Sequence, residues 1–225
     1  MRRYVFPALL GLIGCAILLS LGLWQIRRLA WKAELLARIE AQIGAAPVDF
    51  AALGALDPIR DRYRPVRVAG RTGEELLVLS GKKGLGAGYE VIAAFALPDG
   101  RRILLDRGFI GEEDHETLRP PVALTVTGNL SWPDEADSYT PDPDAANRLW
   151  FARDVDSMSE FLKTEPILVV ARTAEGQEAS IVPVPVDTAG IPNDHLNYAI
   201  TWFSLAAVWA GMTVYLLWRI RQRTN

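Results

Sequence analysis

The chain has 225 residues, half of them hydrophobic, with 24 basic and 27 acidic side chains and a formal net charge of −3. That balance gives no support for nucleic-acid binding, which calls for a basic stripe. A single cysteine, Cys15, excludes an intrachain disulfide and leaves an oxidising compartment permitted but not signalled.

From Tyr4 to about Leu23 the chain carries no charge. At about 1.5 Å rise per residue this stretch is long enough to cross the hydrocarbon layer as a helix. A cleavable signal peptide is the alternative, with small residues such as Ala30 following. However, Trp24 to Leu36 continue as helix and offer no convincing small-x-small cleavage site. Gln25 to Ile43 carries a broken apolar stripe of Leu29, Leu36, Ile39 and Ile43 among Arg28, Lys32, Glu34 and Glu40. This predicts a stalk helix that packs on the following domain and ends at Gly44 and Pro47.

Beyond the apolar segment Phe50 to Leu56 the pattern changes to period two. Strands are predicted at Tyr63–Gly70, Glu75–Ser80, Tyr89–Leu97, Arg101–Phe109, Val122–Trp132, Trp150–Arg153, Ile167–Thr173 and Ser180–Val184. Pro98, Asp99 and Gly100 supply a hairpin turn. Ser131 to Asn147, with three prolines and five acids, reads as a long loop. One helix is expected within the sheet, Asp154 to Lys163, with Met158, Phe161 and Leu162 facing inward; Ser157 with Glu160 resembles a capping box and Asp154 competes as the cap. So many short strands must hide their edges, which points to a mainly antiparallel sheet or barrel-like domain.

A second uncharged stretch runs from Tyr198 to Trp218 and ends in Arg219, Arg221 and Arg223. The fold class is therefore a membrane-anchored α+β protein, a two-helix transmembrane hairpin carrying one extra-membrane domain. Its parts are a first span over 1–24, stalk and linker over 25–47, a β-rich domain over 48–194, a second span over 195–219 and a tail over 220–225. Roughly 170 residues between the spans suit one domain, not two. Five of the 24 basic residues, Arg2, Arg3 and the three terminal arginines, lie in the tails with none of the 27 acids, leaving 19 basic and 27 acidic between them. Both tails are accordingly expected on the cytoplasmic or matrix side and the acidic domain on the periplasmic or intermembrane side. Arg27, Arg28 and Lys32 argue the other way and are outweighed.

No catalytic constellation stands out. His115, in an acidic turn, reads as a surface residue. Gly81, Gly84, Gly86 and Gly88 follow a strand without the lysine-serine pair or helix opening of a phosphate loop, so hairpin turns explain them. Asp106 and Arg107 suggest a buried ion pair at a strand end. The interface group is different. With helix from Asp194 onward, His195, Ala199, Trp202 and Ala206 share one face with Tyr198 at its edge, and Leu21, Trp24, Gln25 and Arg28 form a matching face across the hairpin. A neutral imidazole ligates haem iron, flat aromatic faces bound a porphyrin, and Arg27 or Arg28 suits its propionates. A histidine that caps the helix or bonds the loop, with Trp24 and Trp202 as ordinary interface anchors, is the competing reading. Ala207 and Gly211 make a small-x-x-x-small step suited to close packing of the two helices or to docking another membrane protein.

Four stretches carry a family resemblance: Leu21-Gly-Leu-Trp-Gln with Arg28, Lys32 and Leu35; Tyr63-Arg-Pro-Val with Gly70; Leu105-Asp-Arg-Gly-Phe-Ile; and His195-Leu-Asn-Tyr-Ala-Ile-Thr-Trp-Phe. Gly128-Asn-Leu and Trp150-Phe-Ala-Arg-Asp with Met158 add weaker support. In this order they resemble the Surfeit locus protein 1 family across nearly the whole chain. The resemblance implies a non-enzymatic assembly factor for haem-copper cytochrome oxidase, associated with haem a insertion into subunit I. For bacterial members it implies haem a binding through the histidine that opens the second span, here His195, in the inner membrane with the central domain in the periplasm. Trp24, Gln25, Arg28, Tyr198 and Trp202 are the accompanying site residues, His195 the iron ligand, and subunit I, haem a synthase and membrane lipid the partners. Gly111 departs from the proline many relatives place after the Arg-Gly-aromatic strand. An interaction protein that stabilises nascent subunit I without binding haem is the alternative.

Overall fold

The computed structural model describes residues 2–223. The side chains of Arg2 and Arg3, and Thr224 and Asn225 of the expected tail, lie outside the described residues. The chain forms two compact units, one joining Met1–Arg38 to Thr188–Asn225, the other Ile39–Asp187.

In the first unit, helix α1 (Arg2–Ile43) runs unbroken, so the uncharged stretch and the expected stalk are one helix whose last turn enters the second unit. Both α1 and the C-terminal helix of this unit, His195–Gln222, are long and apolar enough to cross a membrane.

The second unit is a seven-stranded mixed sheet. Its elements are β1 (Val48–Asp49), a 3-10 turn at Phe50–Ala52, β2 (Pro65–Lys82), β3 (Gly86–Ala96), β4 (Arg102–Gly111), β5 (Ala123–Ser131), β6 (Leu149–Trp150), α2 (Val155–Leu162) and β7 (Leu168–Glu175). The C-terminal helix of the first unit is α3 (His195–Gln222). Where two strands were expected, Tyr63–Gly70 and Glu75–Ser80, β2 is a single 18-residue strand with an irregularity between Thr72 and Glu75. Its first half pairs with β5 and its second half with β3, so one strand serves two neighbours. The pairing path β2–β3–β4–β7–β5 then returns to β2, which leaves none of these five strands at an edge. The long ladders are antiparallel as expected, while β1–β2, β2–β6 and β4–β7 pair in parallel and make the sheet mixed.

Consecutive residues of β4 and β7 face opposite ways and both faces are covered. Ile103, Leu105 and Val169 join Phe50, Phe95 and Val126 in one cluster; Leu104, Leu168 and Val170 join Trp150, Met158 and Leu162 in another. Helix α2 supplies Val155, Met158 and Leu162 to the second cluster, with Phe161 partly buried against it. Asp154 is its N-cap, accepting from Asp156 N, which decides the capping question against Ser157.

Two expected strands are corrected. Of Trp150–Arg153 only Trp150 is in a strand, joined to Leu149 in the two-residue β6 and paired with Val78 of β2, because the Asp154 cap opens the helix soon afterwards. Ser180–Val184 makes only a bridge between Val182 and Phe109, since Pro183 and Pro185 lack the N–H groups a ladder needs. The glycine-rich segment is the β2–β3 hairpin turn, with positive φ at Gly84 and Gly86.

Candidate functional site

In the helical unit, α1 and α3 pack antiparallel along a seam of small residues. A Cβ on Gly11 would lie 2.2 Å from Thr213 Cγ2, on Gly14 2.3 Å from Trp209 Nε1, and on Gly22 2.6 Å from Phe203 Cε1. Glycine at these positions is what lets large α3 side chains reach the α1 backbone. Trp209 Nε1 donates to the Gly11 carbonyl at 3.2 Å, and Ala199 and Ala206 are buried from the α3 side. Ala207 and Gly211 take no part: Ala207 is exposed, and a Cβ on Gly211 would meet open space. The step that the sequence suggested for close packing is therefore replaced by the α1 glycines.

The same seam decides which face of α1 meets His195. Gly11, Gly22 and Gln25 are its buried positions, whereas Trp24 and Arg28 are exposed. Gln25, only 8% exposed, places Oε1 2.7 Å from Nδ1 of half-buried His195 at the start of α3. Since an amide oxygen only accepts, the ring donates from Nδ1, and in the neutral imidazole the lone pair then lies on Nε2. Trp202 is half-buried on the face of Ala199 and Ala206; Tyr198 is exposed, and the Arg28 guanidinium lies 4.6 Å from the Trp31 ring centroid. Of the five residues expected around the imidazole, the structure joins Gln25 to His195 by a hydrogen bond.

The donor set limits the metal chemistry. Among the described residues no three His, Cys, Asp or Glu side chains cluster to hold an ion. A lone imidazole with its second nitrogen anchored suits an iron whose other ligands come from a macrocycle.

The sheet unit holds two ion networks on β4 that period-two reasoning did not foresee. Asp106 and Glu90, each 2% exposed, share Arg153, whose Nη1 is 3.3 Å from Asp106 Oδ2 and whose Nε is 3.3 Å from Glu90 Oε2. Arg153 Nη2 also reaches Glu135 at 2.5 Å, and Lys82 pairs with Glu90. Burial and the Glu90 carboxylate push the Asp106 carboxyl up to about 7, against the pull of Arg153 and the Gly108 N–H. For Glu135 burial also pushes upward, but the Arg153 hydrogen bonds and charge outweigh it and hold the carboxyl below its ordinary range. Fully buried Arg107 instead pairs with Glu75 and Glu178, and Arg119 Nε lies 2.9 Å from the second oxygen of Glu75.

Gly108 separates the networks' backbone geometry from the ordinary ladder. It sits at φ +122°, and a Cβ there would lie 2.2 Å from the Val182 carbonyl oxygen. The close approach lets Phe109 N donate to Val182 O at 2.8 Å, with Val182 N returning a bond to Phe109 O at 2.9 Å. His115 is a surface residue as expected, half-exposed, with its Nδ1 2.9 Å from the Glu112 carbonyl.

Comparison with known proteins matches residues 12–207 to the SURF1 family model. A "SURF1-like protein" of Rickettsia felis is 28% identical over 94% of this chain and 96% of its own length. Another of Monosiga brevicollis is 32% identical over 88% of this chain and 82% of its own length. "Surfeit locus protein 1" of Xenopus tropicalis is 28% identical, covering 88% of this chain and 70% of its own. The matched span contains both ends of the Gln25–His195 contact.

Proposed function

This chain belongs to the SURF1 family, and from that premise we propose that it is a non-enzymatic assembly factor for haem-copper cytochrome oxidase, assisting haem a delivery or insertion into subunit I. The observation that carries this reading is the Gln25–His195 hydrogen bond. It holds the imidazole at a helix start with Nε2 free, the arrangement a transient axial ligand requires. Haem a brings the iron and its equatorial ligands when bound. If haem a is bound, His195 would supply a nitrogen to its iron and Gln25 would hold the imidazole in orientation.

On this reading α1 and α3 are membrane spans of the bacterial inner membrane, and the acidic sheet unit is periplasmic. Subunit I is the client, haem a synthase the source of cargo, and membrane lipid the surroundings of the exposed apolar helix faces. Exposed Trp24 and Tyr198 favour a second reading, in which aromatic side chains dock nascent subunit I and no haem is held. The deciding experiment compares haem a spectra and stoichiometry of wild-type and His195→Ala protein purified from one haem-a-producing host. Loss of bound haem a with protein level retained supports the ligand; equal occupancy with unchanged axial-ligand signals moves the assignment to docking alone. A reporter exported from an insertion at Asp137 and retained when fused at the chain end supports the topology, and both reporters on one side defeat it.

A further inference from the structure

We infer that Gln25 is a positioning residue that fixes the tautomer of His195, keeping the ring proton on Nδ1 so that Nε2 is the nitrogen offered to iron. Its use in haem binding rests on the function proposed above, whereas the tautomer is a property of the protein alone. A neutral imidazole free in water carries its proton mainly on Nε2, which would block that nitrogen as a ligand. The 2.7 Å contact from Nδ1 to an amide oxygen reverses the preference. Gln25 is nearly buried in an apolar helix, where a polar side chain is stable only with partners. The seam supplies the registration: Gly22, one turn before Gln25, lets the Phe203 side of α3 close on α1, and Ala199, one turn after His195, is buried in the same contact. A leucine at position 25 would keep the packing and delete the acceptor; a glutamate would keep the acceptor and add charge.

The test uses the full-length protein in detergent at pH 8, where an ordinary imidazole is neutral. With His115→Gln in the background, His195 is the sole histidine and its two ring nitrogens can be read by nitrogen-15 NMR. Wild-type Gln25 should show protonated Nδ1 and unprotonated Nε2. Gln25→Leu should move the proton largely to Nε2, and Gln25→Glu should leave it on Nδ1. A wild-type proton on Nε2, or a Gln25→Leu spectrum identical to wild type, overturns the inference. In haem-a-loaded protein, Gln25→Leu should weaken binding on the order of tenfold to a hundredfold. Gln25→Glu should retain haem and lower its reduction potential, because a carboxylate acceptor makes the imidazole a stronger donor. A merely structural role for Gln25 would leave that potential unmoved. If His195→Ala retains its haem while the tautomer results hold, the haem reading falls and the role of Gln25 in setting the ring proton stands.

Discussion

Asp106 and Arg107 are adjacent on β4 yet do not pair with each other. Asp106 Oδ2 lies 3.3 Å from Arg153 Nη1, whereas Arg107, fully buried, pairs with Glu75 and Glu178. The side chains of consecutive strand residues project from opposite faces, so a pair at i and i+1 has no route to contact. The β3–β4 ladder has its irregularity here, passing from Val91–Gly108 to Ile92–Asp106 and leaving Arg107 as the unmatched residue. Arg107→Leu leaves Glu178 without this cation and removes one of the two cations on Glu75. It should destabilise the sheet unit by about 3 kcal/mol or more, measured as a fall in the urea midpoint by near-ultraviolet circular dichroism. Arg107→Lys should recover only part of the loss, since one ammonium cannot reproduce a fork that reaches two carboxylates.

The Asp106 network makes stability depend on pH in a direction opposite to most surface ion pairs. The folded carboxyl is raised to about 7 from 3.8 by burial and Glu90. Between those values the folded state holds a proton the unfolded state has lost, so ν_U − ν_N is negative and stability falls as pH rises. The contribution is fully present below about 3.8 and is lost as pH rises through about 7. Melting of the sheet unit should therefore shift downward between pH 5 and pH 8. Asp106→Asn, which stays neutral, should flatten that slope; an unchanged slope would place its origin elsewhere.

Fully buried Asn129 ties three segments together within the sheet unit. Its Nδ2 donates to the Tyr63 carbonyl at 2.8 Å and to the Ile43 carbonyl at 3.1 Å, and its Oδ1 accepts from Arg172 at 2.9 Å. Tyr63 sits at φ +68°, a left-handed conformation costly for a tyrosine, and is held there from both sides, its own N–H donating to Leu130 O at 2.8 Å. Asn129→Ala should cost about 1 to 3 kcal/mol, because the part-buried Tyr63 carbonyl loses this donor, the Ile43 carbonyl keeps only Arg172, and Arg172 loses an acceptor. Limited proteolysis should show faster cutting between residues 44 and 64 than in wild type.

Much of the sheet was legible because burial on a strand writes a two-residue period or a continuous apolar run. Glu75–Ser80, Tyr89–Leu97 and Ile167–Thr173 all fall within or largely on observed strands. The union of two segments into β2 was hidden, since Gly70 and Gly73 read as breaks while the backbone simply changes neighbour there. The Gln25–His195 link was half legible: two uncharged stretches and a histidine at a helix start suggest a site, but which face of α1 turns inward depends on glycines. Gly11, Gly14, Gly22 and Gln25 share one face at helical spacing, and the sequence carries that signal, whereas Trp24 and Arg28 are exposed. Arg153 lay in a matched motif but gave no sign of its partners, because Glu90 and Asp106 are far away in sequence and only the β3–β4 ladder brings them together.

The seam itself offers a test that does not depend on haem. Cys15 is the sole cysteine, half-buried beside the Ala206 carbonyl, and Gly14 next to it lies against the Trp209 indole. The indole is anchored to Gly11 O, so a side chain at position 14 cannot be accommodated by a small ring movement without breaking that bond. Gly14→Leu should therefore part the helices locally, with an overpacking cost of about 1 to 3 kcal/mol. The expected readout is faster labelling of Cys15 by a membrane-permeant maleimide, several-fold over wild type, in the full-length protein in detergent. Gly211→Leu is the matched control, since position 211 meets open space, and its labelling rate should stay at the wild-type value. Equal rates for Gly14→Leu and Gly211→Leu would show that the α1 glycines do not set the helix contact.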